Sequence, residues 1–139
     1  MANVLNTQII LDGPRNAVVQ IEGIQSTSDL TYQQLINPAS GFVGMDNTGL
    51  VLPKDFIVRR VQYSIEDGLT VNLWWDATTP VLITSLNGRG TEKYERFGGK
   101  NNYSGAGRTG QIGISTQGWL ASQTLAYTVI LEMVKQGTL

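Results

Sequence analysis

Between Ile57 and Trp75 the chain alternates apolar and polar positions with a period of two. Ile57, Val61, Tyr63 and Ile65 interleave with Val58, Arg60, Gln62, Ser64 and Glu66, and Leu69, Val71, Leu73 and Trp75 interleave with Thr70, Asn72 and Trp74. Side chains at every second position of a strand share a face, so the pattern predicts two half-buried strands. Between them stands Glu66-Asp67-Gly68. A two-residue Asp67-Gly68 loop would set the two apolar rows on opposite faces. A three-residue loop pairs Ile65 with Leu69, Tyr63 with Val71 and Val61 with Leu73 on one face, with Gly68 as the left-handed residue of a G1 bulge. The expected element is therefore a β-hairpin, and it would place Trp74 beside Arg60 on the polar face and Trp75 on the core face near Arg59.

The same periodicity runs through the rest of the chain. Ile9 and Leu11 align with Ala17, Val19 and Ile21 across the turn-forming Asp12-Gly13-Pro14-Arg15-Asn16, which predicts a pair of strands. Leu30 to Asn37 fits a short helix capped by Ser28 or Asp29, or a strand; the extended angles imposed before Pro38 favour the strand. Val81 to Leu86 is a short apolar run of the kind covered on both faces. Gln111 to Thr116 alternates around Ile112 and Ile114. In the last segment Leu125, Tyr127, Val129, Leu131 and Met133 point one way, and its run of β-branched residues opposes a helix.

Two excursions interrupt this order. Residues 39–55 carry three glycines with apolar Phe42, Val43, Met45 and Leu50 to Leu52, for which a short edge hairpin, Phe42 to Met45 against Leu50 to Leu52, is the simplest reading. Residues 89–110 are rich in glycine, hold Tyr94, Phe97 and Tyr103, and set Arg89, Lys93, Arg96, Lys100 and Arg108 against only Glu92 and Glu95. Eight candidate strands without a helix predict one all-β domain over residues 1–139: an antiparallel β-sandwich, as an eight-stranded jelly roll, with an immunoglobulin-like Greek key second.

Charge and composition then narrow the function. Ten basic residues nearly balance eleven acidic ones, so no field favours nucleic acid or an anionic membrane, and no apolar run reaches the length of a membrane span. There is no leader-like segment, which implies a soluble protein made in the cytoplasm. Without histidine or cysteine there is no ordinary partner for a serine nucleophile and no usual zinc ligand set. Gly105-Ala-Gly107-Arg-Thr-Gly110 spells G-x-G-x-x-G, but it runs into a strand instead of opening a helix, so it reads as a glycine-rich loop. Neither an enzyme, a metal nor a cofactor is expected.

Candidate contact residues are those that a solvated loop or sheet face does not need: Trp74 with Arg60, and in the second excursion Tyr94, Phe97, Tyr103, Arg89, Arg96 and Arg108. A tryptophan beside an arginine fits an interface anchor as well as an ordinary exposed aromatic.

The order of landmarks, QIILDGPRNAVVQIEGI, then RVQYSIEDGLTVNLWWDATTPVLITSLNGRG, then FGG at Phe97 to Gly99, then TGQIGISTQGW and LAYTVILEMVK, resembles small virion proteins of tailed bacteriophages over nearly the whole chain. The resemblance implies a structural part similar to capsid decoration or cement proteins, made in the host bacterial cytoplasm and sited on the outer capsid surface. It implies the major capsid protein or another virion protein as partner, and a homo-oligomer, a trimer. It brings no catalytic residues. A tail or head-completion component is the nearest alternative. A carbohydrate-binding sandwich is another, and it would need Trp74, Trp75, Trp119 and Tyr103 gathered on one concave face.

Overall fold

The computed structural model describes residues 3–43, 45 and 52–137. Nine strands run through them: β1 (Val4–Asp12), β2 (Asn16–Gln25), β3 (Gln33–Ile36), β4 (Asp55–Ile65), β5 (Thr70–Trp75), β6 (Val81–Leu86), β7 (Arg89–Lys93), β8 (Ile112–Gln117) and β9 (Leu125–Gln136), with one 3-10 turn at Glu95–Phe97. They form two antiparallel sheets, a five-stranded one in the order β1-β2-β9-β4-β7 and a four-stranded one in the order β3-β8-β5-β6. The chain is all-β, and its two inner faces close on one core, as expected of a sandwich.

The predicted central hairpin does not form. β4 pairs with β9 on one side and β7 on the other, and β5 pairs with β6 and β8 in the opposite sheet. Both edges of β4 are occupied to its very end, where the Ile65 N–H donates to Gly88 O at 2.7 Å and the Glu66 N–H to Ala126 O at 3.1 Å. No edge is left for β5. The turn instead carries the chain from one sheet to the other, with Gly68 at φ 92° as its left-handed residue. Val61 and Ile65 then face Leu69, Val71 and Leu73 across the core, all of them buried. The rows that alternation predicted are inside, but they meet face to face and not side by side.

A bulge at Arg59 corrects a second expectation. The β4–β9 register slips between Val58 and Arg60. Phe56 and Val58 point into the core before the slip and Val61 after it, whereas Ile57 is half-buried and Arg59 exposed. One inserted residue inverts the phase of everything on its N-terminal side.

Elsewhere most of the periodicity carries over, but Leu11, expected in line with Ala17, Val19 and Ile21, and β6 depart from it. β1 pairs with β2, with a bulge at Ile10 that turns Leu11 onto the outer face opposite Val18. Leu30 to Asn37 resolves as the short strand β3, antiparallel to β8. Leu125, Tyr127, Val129, Leu131 and Met133 of β9 are all buried, and Lys135 continues the same row. β6 departs from its expected two-sided cover: it is an edge strand, and Val81 and Leu82 at its start are exposed. The second excursion opens with β7 instead of a loop. Phe42 belongs to the core, 5.2 Å edge-on from Phe56. The hairpin expected over 42–52 rests on residues 44 and 46–51, which lie outside the described residues.

Candidate contact surface

Residues 94–110 leave β7 and return to the body of the molecule at fixed points. The Tyr94 N–H donates to Arg59 O at 2.8 Å, and Lys100 forms an isolated antiparallel bridge with Val58, its N–H donating at 2.7 Å and its carbonyl accepting at 3.1 Å. The loop is thus seated on the part of β4 that bulges at Arg59. Between these anchors Glu95–Phe97 makes its 3-10 turn, and Gly99 N–H closes on Tyr94 O at 2.9 Å.

The seat of the loop is polar and well connected. Glu92 Oε1 accepts from Thr84 Oγ1 at 2.6 Å and from the Tyr94 hydroxyl at 2.8 Å, which ties β6 to β7 across the sandwich edge. Burial, with Glu92 adding to it, pushes the Tyr94 hydroxyl up to about 12. The Lys100 ammonium lies 5.1 Å from the centre of the Tyr94 ring and donates to Ile83 O. Further along, the Asn102 amide donates to Asp55 Oδ1 at 3.2 Å and Arg108 Nη1 donates to Asn102 O at 3.0 Å. Burial raises the Asp55 carboxyl above its ordinary value, against the pull of Asn102, the Phe56 N–H and Arg108.

The C-terminal end of the loop hangs on Asp76. Its carboxylate accepts from the Tyr32 hydroxyl, from Gln34 Nε2 at 2.8 Å and from Thr109 Oγ1 at 2.7 Å, while the Thr109 N–H donates to Asp76 O at 3.2 Å. Burial alone would raise this carboxyl, but the three side-chain donors outweigh it and hold it below 3.8.

What this scaffold presents outward is apolar. Phe97 and Tyr103 are 82% and 81% exposed, far more than any other large apolar side chain among the described residues except Leu120 at 67%. They flank a groove of about 340 Å³ whose walls are Val81 and Leu82 of β6, Gly99, Lys100 and Asn101, with Trp75 beneath. On the loop's side of β7, Lys93 is exposed in register with Arg60, and Arg96 is exposed in the 3-10 turn next to Phe97. An aromatic pair on pinned backbone, next to exposed cations, is suited to burial against a partner.

The eight residues singled out from sequence divide accordingly. Phe97, Tyr103 and Arg96 are outward on this surface, whereas Arg89 is exposed at the far end of β7, beside Ile65, Glu66 and Gly88. Tyr94 and Arg108 are half-buried and build its base. Arg60 lies between Glu95 at 3.5 Å and Glu132 at 3.4 Å. Trp74 is in the other sheet, 6.3 Å edge-on from Tyr32 and donating to Ser115 Oγ at 2.9 Å. The expected Trp74–Arg60 neighbourhood depended on the hairpin and disappears with it. Sequence reasoning missed Val81 and Leu82, because an apolar run looks the same whether an edge strand exposes its end or a sheet covers it.

The four rings required for a sugar platform are likewise dispersed. Trp75 is buried, Trp74 stands on the opposite face of β5, and Trp119 is fastened in the β8–β9 connection by Asp29 and Gln123, leaving Tyr103 freely exposed. Among the described residues no three acidic side chains gather as a cation site. No protein-family model and no curated protein matches the chain.

Proposed function

We propose that the protein is a structural component of a tailed-bacteriophage virion, a capsid decoration protein that docks on the head lattice through the 94–103 loop and the exposed end of β6. The observation that carries the proposal is the pair Phe97 and Tyr103, almost fully exposed on backbone pinned to β4. Aromatics held this way lose little freedom on binding and supply most of the energy of a contact when buried. The cations Lys93 and Arg96 complement an acidic partner surface and steer its approach.

The strand order supports the same reading. With β1 set aside, one sheet runs β2-β9-β4-β7 and the other β3-β8-β5-β6. Strands two and nine, three and eight, four and seven, five and six are nested as in a long antiparallel strip rolled upon itself. We read this as an eight-stranded jelly roll, an architecture common in viral coats, with β1 added at one edge.

The test is a Phe97→Ser/Tyr103→Ser double variant added to heads that lack the protein. Both side chains lie outside the core, so the melting temperature is expected to stay within a few degrees of the parent. Loss of two anchors worth roughly 2 kcal/mol or more corresponds to binding weakened about thirty-fold or beyond. Wild-type occupancy of the heads by the folded variant would remove this loop as the contact.

A further inference from the structure

The four sheet edges of the molecule are not alike. β3 is only four residues long; β7 carries Arg89, Glu92 and Lys93; and on β6 the Lys100 ammonium takes the carbonyl of Ile83. Shortness, charge and cover are the ordinary means by which an edge is kept from pairing with another chain. Among the described residues β1 has none of them over most of its length. It is nine residues long, it holds no charge or proline before Asp12, and every residue from Asn6 to Leu11 is exposed.

The strand is also fixed at both ends. Asn3 Oδ1 accepts from the Ser26 and Thr27 N–H groups at 2.8 and 3.0 Å, and Asp12 is bound to Lys135 at 2.6 Å. It is presented as a formed strand, and the ordering cost of pairing is already met.

Its sequence decides the occupant. About Thr7 the row Val4-Leu5-Asn6-Thr7-Gln8-Ile9-Ile10 reads the same in either direction in polarity: Leu5 mirrors Ile9, Asn6 mirrors Gln8 and Val4 mirrors Ile10. Antiparallel pairing of this strand with its own copy therefore sets apolar against apolar and amide against amide, and brings no charge opposite a like charge. Leu5, Thr7 and Ile9 share the inner face with Gly23, Ile21 and Val19 of β2, so the paired rows also fall on matching faces.

We infer that β1 is a self-recognition edge: two copies of the chain pair β1 to β1, antiparallel about Thr7, joining their five-stranded sheets into one ten-stranded sheet across a twofold axis. This contact is isologous and closes a dimer, whereas the trimer implied by resemblance needs one surface to meet a different one. It is independent of the capsid reading, since it engages the opposite end of the sheet from β7 and is assayed on the isolated protein.

Sedimentation equilibrium of the full chain is expected to give twice the 15.2 kDa monomer mass. Thr7→Lys sets two ammonium groups face to face on the axis and is expected to raise the dissociation constant about tenfold or more, with the far-ultraviolet circular dichroism unchanged. The chain has no cysteine, so single introduced thiols report geometry cleanly. Thr7→Cys is expected to cross-link into dimers under mild oxidation. Val4→Cys is not, because its copies lie six residues apart along the paired strands, about 20 Å. A wild-type monomer or trimer, a Thr7→Lys variant that still dimerises as the parent does, or equal cross-linking at both positions would each overturn the inference.

Discussion

Gly68 and Gly118 hold nearly the same left-handed backbone, φ 92° and φ 98°, but in different surroundings. A Cβ at Gly68 meets nothing within 4 Å, whereas one at Gly118 would stand 2.3 Å from Gly68 O, a backbone atom that cannot swing aside. Gly68→Ala is therefore expected to cost only the backbone strain, about 1 kcal/mol. Gly118→Ala adds a steric conflict at the point where the β4–β5 and β8–β9 connections touch, and is expected to cost roughly 3 kcal/mol or more. Urea titration of the two variants checks this; equal losses would mean that the two connections are not in contact. Glycine in Glu66-Asp67-Gly68 signals the left-handed turn from sequence alone. Its counterpart at Gly118 looks like any other turn glycine until its neighbour across the molecule is known.

At the scale of elements, a buried ion pair ties together pieces far apart in the chain. Lys135, at the end of the core row of β9, has a fully buried side chain that donates to Asp12 Oδ1 at 2.6 Å and to Val43 O at 2.9 Å, and its ammonium lies 5.6 Å from the Phe42 ring centre. Asp12, at the end of β1, also accepts from the Val43 N–H at 2.9 Å. The clasp fixes the β1–β2 turn, the C-terminal strand and the start of the first excursion to one another. Asp12→Ala strands a buried ammonium and is expected to cost about 3 to 5 kcal/mol. Lys135→Met replaces the charge by an apolar chain of similar length and leaves a partly exposed carboxylate with a donor still in place, so it is expected to cost less than half as much. Denaturant titration of both variants decides the point, and a larger loss for Lys135→Met would show that the ammonium's bonds outweigh its desolvation. The alternation of β9 announces a core row through Met133, but a lysine continuing that row reads as the solvated end of a strand. Only the return of Asp12 and Val43 to the same place makes its burial tolerable.

For the molecule as a whole, stability is expected to fall at both ends of the pH range. Asp76, held below 3.8, contributes stability that is complete above that value and lost as pH falls through its folded pKa. Asp55, held above 3.8, acts in the opposite sense, and its contribution disappears as pH rises through its own folded pKa. On the alkaline side, burial pushes the Tyr127 hydroxyl up to about 12, as it does Tyr94, so their contributions are intact below pH 10 and lost as pH rises towards 12. The Tyr127 hydroxyl has no hydrogen-bond partner among the described residues. Tyr127→Phe is therefore expected to leave neutral stability unchanged or slightly higher and to flatten the alkaline fall, and Asp76→Asn is expected to flatten the acid one. Melting temperatures across the pH range test both; an alkaline fall as steep in Tyr127→Phe as in the parent would assign it to other groups.

Which residues are buried follows largely from sequence, because an extended strand sends alternate side chains to opposite faces whatever its neighbours are. That is why Val61, Ile65, Leu69, Val71, Leu73 and the whole row of β9 are inside as their spacing requires. The all-β class follows from the same periods, and the glycine-rich second excursion points to the loop that carries Phe97 and Tyr103. Strand partnership is a different kind of information. Alternation is identical for two strands side by side and for two facing each other across a core, and Glu66-Asp67-Gly68 serves either arrangement. β4 and β5 part company because β7 and β9, remote in the chain, occupy both edges of β4. The bulge at Arg59 is equally silent locally, since it is defined by the register of β9 against β4. Partnership, register and the seating of the 94–110 loop belong to the tertiary structure because each depends on backbone hydrogen bonds between distant segments, and those bonds carry no side-chain signature.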